Sequence, residues 1–265
     1  MPPMTTLVSQ IHYPSGDGSP VAETYVHLYA ILVTLEVLKQ YLEGQQATVL
    51  ANQFLYYSQG IPTARVAPDV MVIFGVEPGG RDKYKVWEEG QVPAVIFEMT
   101  SPSTRTKDKD FKKNLYVQLG VQEYWLFDPK GEWIPEQLEG YRSLTVEVDD
   151  ELTPIFLPIT DGCSQVLGLR LQVEGALIGF YRLDTGEKLL IPTELAVELR
   201  TTAARLEQEQ LARQLAEQRA EQAEQRAEQA GQQAQLDRLG KEQAEQRAAA
   251  LAERLRALGV DPDNL

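Results

Sequence analysis

Of the chain's 15 prolines, every one except Pro262 stands at or before Pro192. Between those two residues the chain is written in Ala, Glu, Gln, Arg and Leu, all strong helix formers. This break constrains the fold more than any other feature. Such a segment supplies neither strands nor tight turns, so any sheet must come from the residues before it. The heptad EQRAEQA fills 217–223 and again 224–230, and a shifted form, EQAEQRA, fills 242–248. Ala216, Ala220, Ala223, Ala227, Ala230 and Ala234 are spaced 4, 3, 4, 3 and 4, the seam of a heptad repeat. The spacing predicts one helix over 194–257, roughly 90 Å long at ~1.5 Å per residue. Alanine knobs bury little area, and Gly231 and Gly240 each loosen the helix by about 1 kcal/mol relative to Ala. Leu206, Leu211, Leu236, Leu239, Leu251 and Leu255 anchor the flanks. The expectation is a coiled coil that joins copies of the chain into a homo-oligomer, a dimer in its simplest form. A solvated lone helix is the alternative. The chain is read as two regions, a globular domain over 1–192 and a helical tail over 193–265.

Within the globular region, periodicity predicts a helix over Val21–Leu42, with an apolar stripe of Leu28, Ile31, Leu32, Leu35, Leu38 and Leu42. ATVLANQFLYY (47–57), APDVMVIFGV (67–76), PAVIFEMT (93–100) and VQEYWLFDP (121–129) read as strands. Lys107–Leu119 reads as a helix closed by Gly120. Shorter strands follow near 142–148, 169–182 and 187–191. A helix, then strands, then a strand–helix–strand unit gives an α/β domain with a mixed sheet.

Two strands carry acids at their ends: Asp69 follows Pro68 and opens DVMVIF, and Glu98 closes AVIFE. Both strands are too apolar to lie at a surface. If they are neighbours in one sheet, the two carboxylates converge and repel unless a cation lies between them. A divalent metal fits that need, because Mg²⁺ takes one or two carboxylates and keeps several waters. Such an ion stabilises negative charge on phosphorus and lowers the pKa of an attacking water. The run RTKDKDFKK then sets Arg105, Lys107, Lys109, Lys112 and Lys113 against only Asp108 and Asp110, a patch that draws a phosphodiester. Each feature alone has a plainer reading: a strand-end acid commonly caps a turn, and a lysine-rich helix start is commonly a solvated face. The combination within one strand–helix–strand unit is what points to a site.

The stretches VAPDVMVIFG, FEMTSPSTRTKD and KKNLYVQLGVQEYWLFDP resemble the Uma2 family, grouped with the PD-(D/E)XK nucleases. The resemblance spans roughly 20–190, and the helical tail resembles tails of cyanobacterial members. It implies a restriction-endonuclease-like fold, a mixed β-sheet core flanked by helices. It also implies a metal-dependent endonuclease that hydrolyses the phosphodiester bonds of DNA with Mg²⁺, or Mn²⁺ in its place. Asp69 would be the Asp of the PD motif and Glu98 the second acid, both holding the metal. The superfamily's lysine is expected two residues after Glu98, where Thr100 stands. The following helix would supply it instead, as Lys112, with Lys113 the alternative. These two differ by about 100° around a helix. With Leu115 and Leu119 taken as the core-facing stripe and Tyr116 beside it, Lys112 lies on the inward side and Lys113 leans toward solvent or DNA. Glu23, in AETYVH, is a further metal-side acid or a capping residue of the first helix.

The formal net charge of −14 argues against a protein that coats nucleic acid through bulk charge, but leaves room for a local basic patch. Cys163 is the only cysteine, which excludes an internal disulfide and a cysteine zinc cluster. With no basic-then-apolar N-terminal segment and no apolar run near 18 residues, a cytoplasmic protein outside the membrane is expected. A serine hydrolase finds no G-x-S-x-G. Two readings of other classes stay open: a nuclease fold that binds nucleic acid or a partner without cutting, which Thr100 favours, and a scaffold whose function is the coiled coil.

Overall fold

The computed structural model of the protein describes residues 11–16, 18, 24–101, 104–148 and 151–257. The chain divides into two units, Met1–Ala196 and Val197–Leu265. The first is the α/β domain. It begins with helix α1 (Tyr25–Tyr41), capped by the Thr24 side chain. Strands β1 (Ala47–Leu50), β2 (Leu55–Tyr56), β3 (Arg65–Val66), β4 (Val70–Phe74) and β5 (Tyr84–Lys85) follow, then a short helix α2 (Val86–Glu89). Strand β6 (Val95–Met99) leads into a π-helical turn (Lys107–Lys112) that continues as α3 (Lys113–Leu119), and β7 (Glu123–Phe127) completes that unit. Strands β8 (Leu138–Val148), β9 (Glu151–Ile159), β10 (Cys163–Ser164), β11 (Leu169–Glu174) and β12 (Leu177–Arg182) precede the long helix α4 (Pro192–Ala257).

The central sheet has six strands in the order β1-β4-β6-β7-β8-β9. Its only parallel pair is β6 with β7. A parallel pair needs a crossover, and the lysine-rich helix provides it. Two three-stranded sheets, β10-β11-β12 and β3-β2-β5, lie beside it. Because strand side chains alternate between faces, each central strand feeds two cores. Val70, Val72, Phe97, Met99, Trp125 and Phe127 pack with α1 residues such as Ile31 and Leu38. Met71, Ile73, Ile96, Tyr124 and Leu126 pack with Tyr116 on the α3 side. Burial on both faces is why these strands read as unbroken apolar runs.

Several expectations need correction. The stretch 47–57 is two strands in different sheets, divided where Asn52 takes a φ of +54° and donates its N–H to the carbonyls of Pro68 and Asp69. On α1 the buried stripe runs through Ala30, Ile31, Thr34, Val37 and Leu38, while Leu28 and Leu32 are exposed. Residues 187–191 form no strand, only a single bridge from Lys188 to Tyr181. Strand β9 was not anticipated because Pro154 and Pro158 interrupt its sequence. It lies at the sheet's edge, where proline's missing donor costs least.

Helix α4 runs 66 residues with none buried. Pro192 sits at its first position, where proline's missing N–H costs nothing. Ion pairs one turn apart, Arg205–Glu209, Arg213–Glu217 and Arg238–Glu242, lace its surface. Leu206, Leu211, Leu236 and Leu251 are all more than half exposed. Among the described residues no helix is long and apolar enough to cross a membrane.

The β7–β8 register sets Gly140 opposite Trp125, and a Cβ at 140 would overlap the buried indole. Gly140→Ala is therefore expected to destabilise the domain by about 1–3 kcal/mol through overpacking. Urea unfolding reads this as a lower midpoint, whereas an unchanged midpoint would mean that the indole has room to shift.

Candidate active site

Strands β4 and β6 pair antiparallel with Val70 opposite Phe97 and Met71 opposite Ile96. One further step along that register brings Asp69 to the level of Glu98. Both then share the face of Met71 and Ile96, which is the α3 side. The ladder stops there, and the Met99 N–H, which would otherwise seek a strand partner, donates to Asp69 Oδ2 at 2.6 Å. The Asp69 side chain is 14% exposed and the Glu98 side chain 1%, so Asp69 is the acid nearer the surface.

The crossover helix closes over this pair. Lys112 Nζ lies 2.8 Å from Glu98 Oε2 and 3.0 Å from Asp108 Oδ1. Tyr116 donates its hydroxyl proton to Glu98 Oε1 at 2.8 Å. From α1, His27 Nε2 comes within 3.8 Å of Asp69 Oδ2. Asp108, Lys112 and Tyr116 are four apart and present one stripe to the site. The first six residues of this helix are wound as a π-helix, the wider turn that often marks functional sites. The carbonyl of Asp108 accepts the Tyr124 hydroxyl at 3.0 Å.

Burial pushes the Asp69 carboxyl well above its ordinary range, and the Glu98 charge pushes the same way against the pull of Lys112. Burial also raises Glu98, partly offset by Lys112. For Lys112, burial alone would favour the neutral amine, but Glu98, Asp108 and Asp69 together outweigh it and hold the ammonium charged. Burial and the neighbouring Glu98 charge raise Tyr116, so it remains a protonated donor.

Three carboxylates thus face one ammonium, and Asp108 Oδ1 is buried without an aligned hydrogen bond although it lies in ion-pair range of Lys112. The donors are hard oxygens, the chemistry that suits Mg²⁺ or Mn²⁺. Among the described residues no three His, Cys, Asp or Glu side chains form a ready ligand group. An ion held here would take one or two carboxylates and complete its shell with other oxygens, as Mg²⁺ commonly does.

The structure thus brings Asp69, Glu98 and Lys112 together. Lys113 points elsewhere, its ammonium 3.5 Å from the centre of the Tyr141 ring rather than free in solvent. The stripe used to choose between them was misplaced: Tyr116 and Val117 are the buried residues of α3, and Leu115 and Leu119 are only partly buried. Thr100, at the superfamily's lysine position, is buried, and its N–H donates to the Phe127 carbonyl. Glu23 lies outside the described residues. Sequence reasoning missed Asp108, counted there only as an offset to the lysines. Its spacing of four from Lys112 and eight from Tyr116 was the available signal. For His27 the sequence offered its nearness to Glu23 on the first helix, with a packed or surface histidine the plainer reading; its approach to Asp69 had no local signal.

An α/β fold whose strand–helix–strand unit collects carboxylates and one buried lysine on a single sheet face is the class that these features define. The chain belongs to the Uma2 family, described as "Putative restriction endonuclease", whose model matches residues 16–164. Among solved structures, one described as a "putative nuclease belonging to DUF820" from Anabaena variabilis ATCC 29413 is similar at 15% identity. That likeness covers 56% of this chain and 76% of the other, with a TM-score of 0.37. No curated protein matches the chain in sequence.

Because the folded state raises the Asp69 pKa, it holds that proton more tightly than the unfolded chain does. The group's stabilising contribution is then fullest in acid and is lost as pH rises from the unfolded value to the folded one. Asp69→Asn keeps an oxygen for the Met99 N–H and removes the charge. In EDTA near pH ~8, above the ordinary carboxylate range, the variant is expected to unfold at higher urea than the parent. The gap should close toward pH ~4. A variant less stable than the parent at the higher pH would refute the burial argument.

Proposed function

We propose that the protein is a metal-dependent endonuclease that hydrolyses the phosphodiester bonds of DNA, with Asp69, Glu98 and Lys112 as its catalytic residues. The observation that carries the reading is the shared face of Asp69 and Glu98 on adjacent strands with the Lys112 ammonium against them. Membership of the Uma2 family supports it. A divalent cation held by Asp69 and Glu98 would supply Lewis-acid stabilisation of phosphate charge and acidify water. Lys112, kept charged by its acidic neighbours, would face the charge that builds on the phosphate oxygens. Tyr116 would fix the Glu98 carboxylate through its hydrogen bond. Asp69, the more exposed acid, would stand where the substrate arrives.

One observation favours a second reading, a nuclease fold that binds without cutting: both Glu98 oxygens already have partners, Tyr116 and Lys112. Cleavage of plasmid and oligonucleotide DNA with Mg²⁺ or Mn²⁺ separates the two readings. Under the nuclease reading EDTA, Asp69→Asn and Glu98→Gln each abolish cleavage, and Lys112→Ala lowers turnover by ~100-fold or more, as loss of one oxyanion donor does. Lys113→Ala should keep turnover near the parent's at saturating DNA. Cleavage in EDTA, or full activity in both acid variants, would overturn the assignment.

The tail is proposed to join copies of the chain through its alanine seam. The leucines left exposed along α4 support this. Sedimentation should give the full chain a mass above one copy, and a chain ending at Pro192 a lower-order state. An unchanged order would leave α4 as a lone helix or as a site for another partner.

A further inference from the structure

Beside the acidic cluster lies a cavity of about 270 Å³ lined by Phe54, Arg65, Val66, Ala67, Lys107, Phe111 and Lys112. Its position follows from the chain. Ala67 is two residues before Asp69, and Lys112 reaches from the cavity wall to Glu98. Its charge is unusual for a protein of net charge −14. The Arg65 guanidinium lies over the Phe54 ring, 4.4 Å from its centre. Its hydrogen bonds go to the Pro62 carbonyl and the Tyr56 hydroxyl. Among the described residues neither Arg65 nor Lys107 has a carboxylate partner. Two cations with no counter-ion among the described residues therefore border the site. Phe111, which lines the cavity, is 53% exposed. One exposed apolar side chain is ordinary on a surface. An aromatic face at the mouth of a cationic cavity has a more specific use, because a positive track with stacking rings is how single-stranded nucleic acid is held.

We infer that this cavity binds one unpaired nucleotide next to the scissile phosphate, with the base on the Phe111 face and a neighbouring phosphate on Arg65 and Lys107. The inference rests on the nuclease reading for its substrate class. The volume falls just below the usual small-ligand range of roughly 300–1,000 Å³, which suits a single nucleotide and not a base pair. A base stacks on a side chain only after leaving its own stack. The cavity therefore favours single-stranded DNA, or a strand opened locally, over an intact duplex.

Fluorescence anisotropy of the full-length protein in EDTA tests this with a labelled single-stranded oligonucleotide and with the same sequence as a blunt duplex. Phe111→Ala, at an exposed position that the core does not need, should weaken single-strand binding by about 5- to 100-fold. Duplex binding should change less than about twofold, within the spread of ordinary surface substitutions. Phe111→Trp should retain the single-strand affinity. Lys107→Ala should flatten the salt dependence by about one phosphate contact. Unchanged single-strand affinity in Phe111→Ala, or an equal loss on the duplex, would overturn the inference, the latter outcome marking a track for duplex backbone. A protein that binds single strands through Phe111 but cleaves no DNA with Mg²⁺ or Mn²⁺ would sink the nuclease reading and leave the cavity assignment standing. Cleavage that depends on Asp69, with strand preference unmoved by Phe111→Ala, would do the reverse.

Discussion

A carboxylate as deeply buried as Glu98 cannot stand alone in a protein interior, and its partner is Lys112. Losing either member would strand the other's charge away from water, which costs far more than the pair contributes. The pair therefore ties down everything that positions it. Strand β6 must bring Glu98 to its last pair of residues with its even-numbered residues facing α3. The crossover helix must arrive at a phase that brings Lys112 inward. Asp108 and Lys112 lie at that phase on the π-turn, and the Tyr124 hydroxyl donates to the Asp108 carbonyl.

The same arrangement explains the substitution at Thr100. A lysine two residues beyond Glu98 would be held by the strand itself. Here Thr100 is buried in the turn, and the ammonium comes from the helix. The positive charge at the acids is thus coupled to the packing of that helix, above all to Tyr116 and Val117, its buried residues. A shift of the crossover would move the ammonium and the Tyr116 hydroxyl together, because both reach Glu98 from one face.

The acids do not share one environment. Glu98 is sealed between Tyr116 and Lys112, while Asp69 is partly open and held by the Met99 N–H. From β4 toward the cationic cavity, the chain passes from a closed, acidic interior to an open, basic rim within a few residues of Ala67. The domain itself is acidic, with 25 Asp and Glu against 15 Lys and Arg over 1–192, so the basic lining is a local feature of an acidic domain.

The sequence by itself determined the parts that rest on short-range pattern. Loss of proline and the heptads gave the 66-residue helix, and apolar runs closed by Gly120 and by Asp128–Pro129 gave β6, the crossover and β7. Asp69 and Glu98 were legible as partners because each ends an apolar strand, and the inward lysine was legible though the stripe used to choose it was not. Only the tertiary structure decided the rest. A π-turn has no sequence signature of its own, and the Tyr124 hydroxyl meets the Asp108 carbonyl only once the helix packs on the sheet. The division of 47–57 depends on Asn52 meeting Pro68 and Asp69, and the approach of His27 to Asp69 depends on where α1 lands. The cavity joins Phe54 and Arg65 to Lys107 and Phe111, residues about forty to sixty positions apart. No local periodicity encodes such a meeting, because it arises when the sheet and its crossover pack and not before.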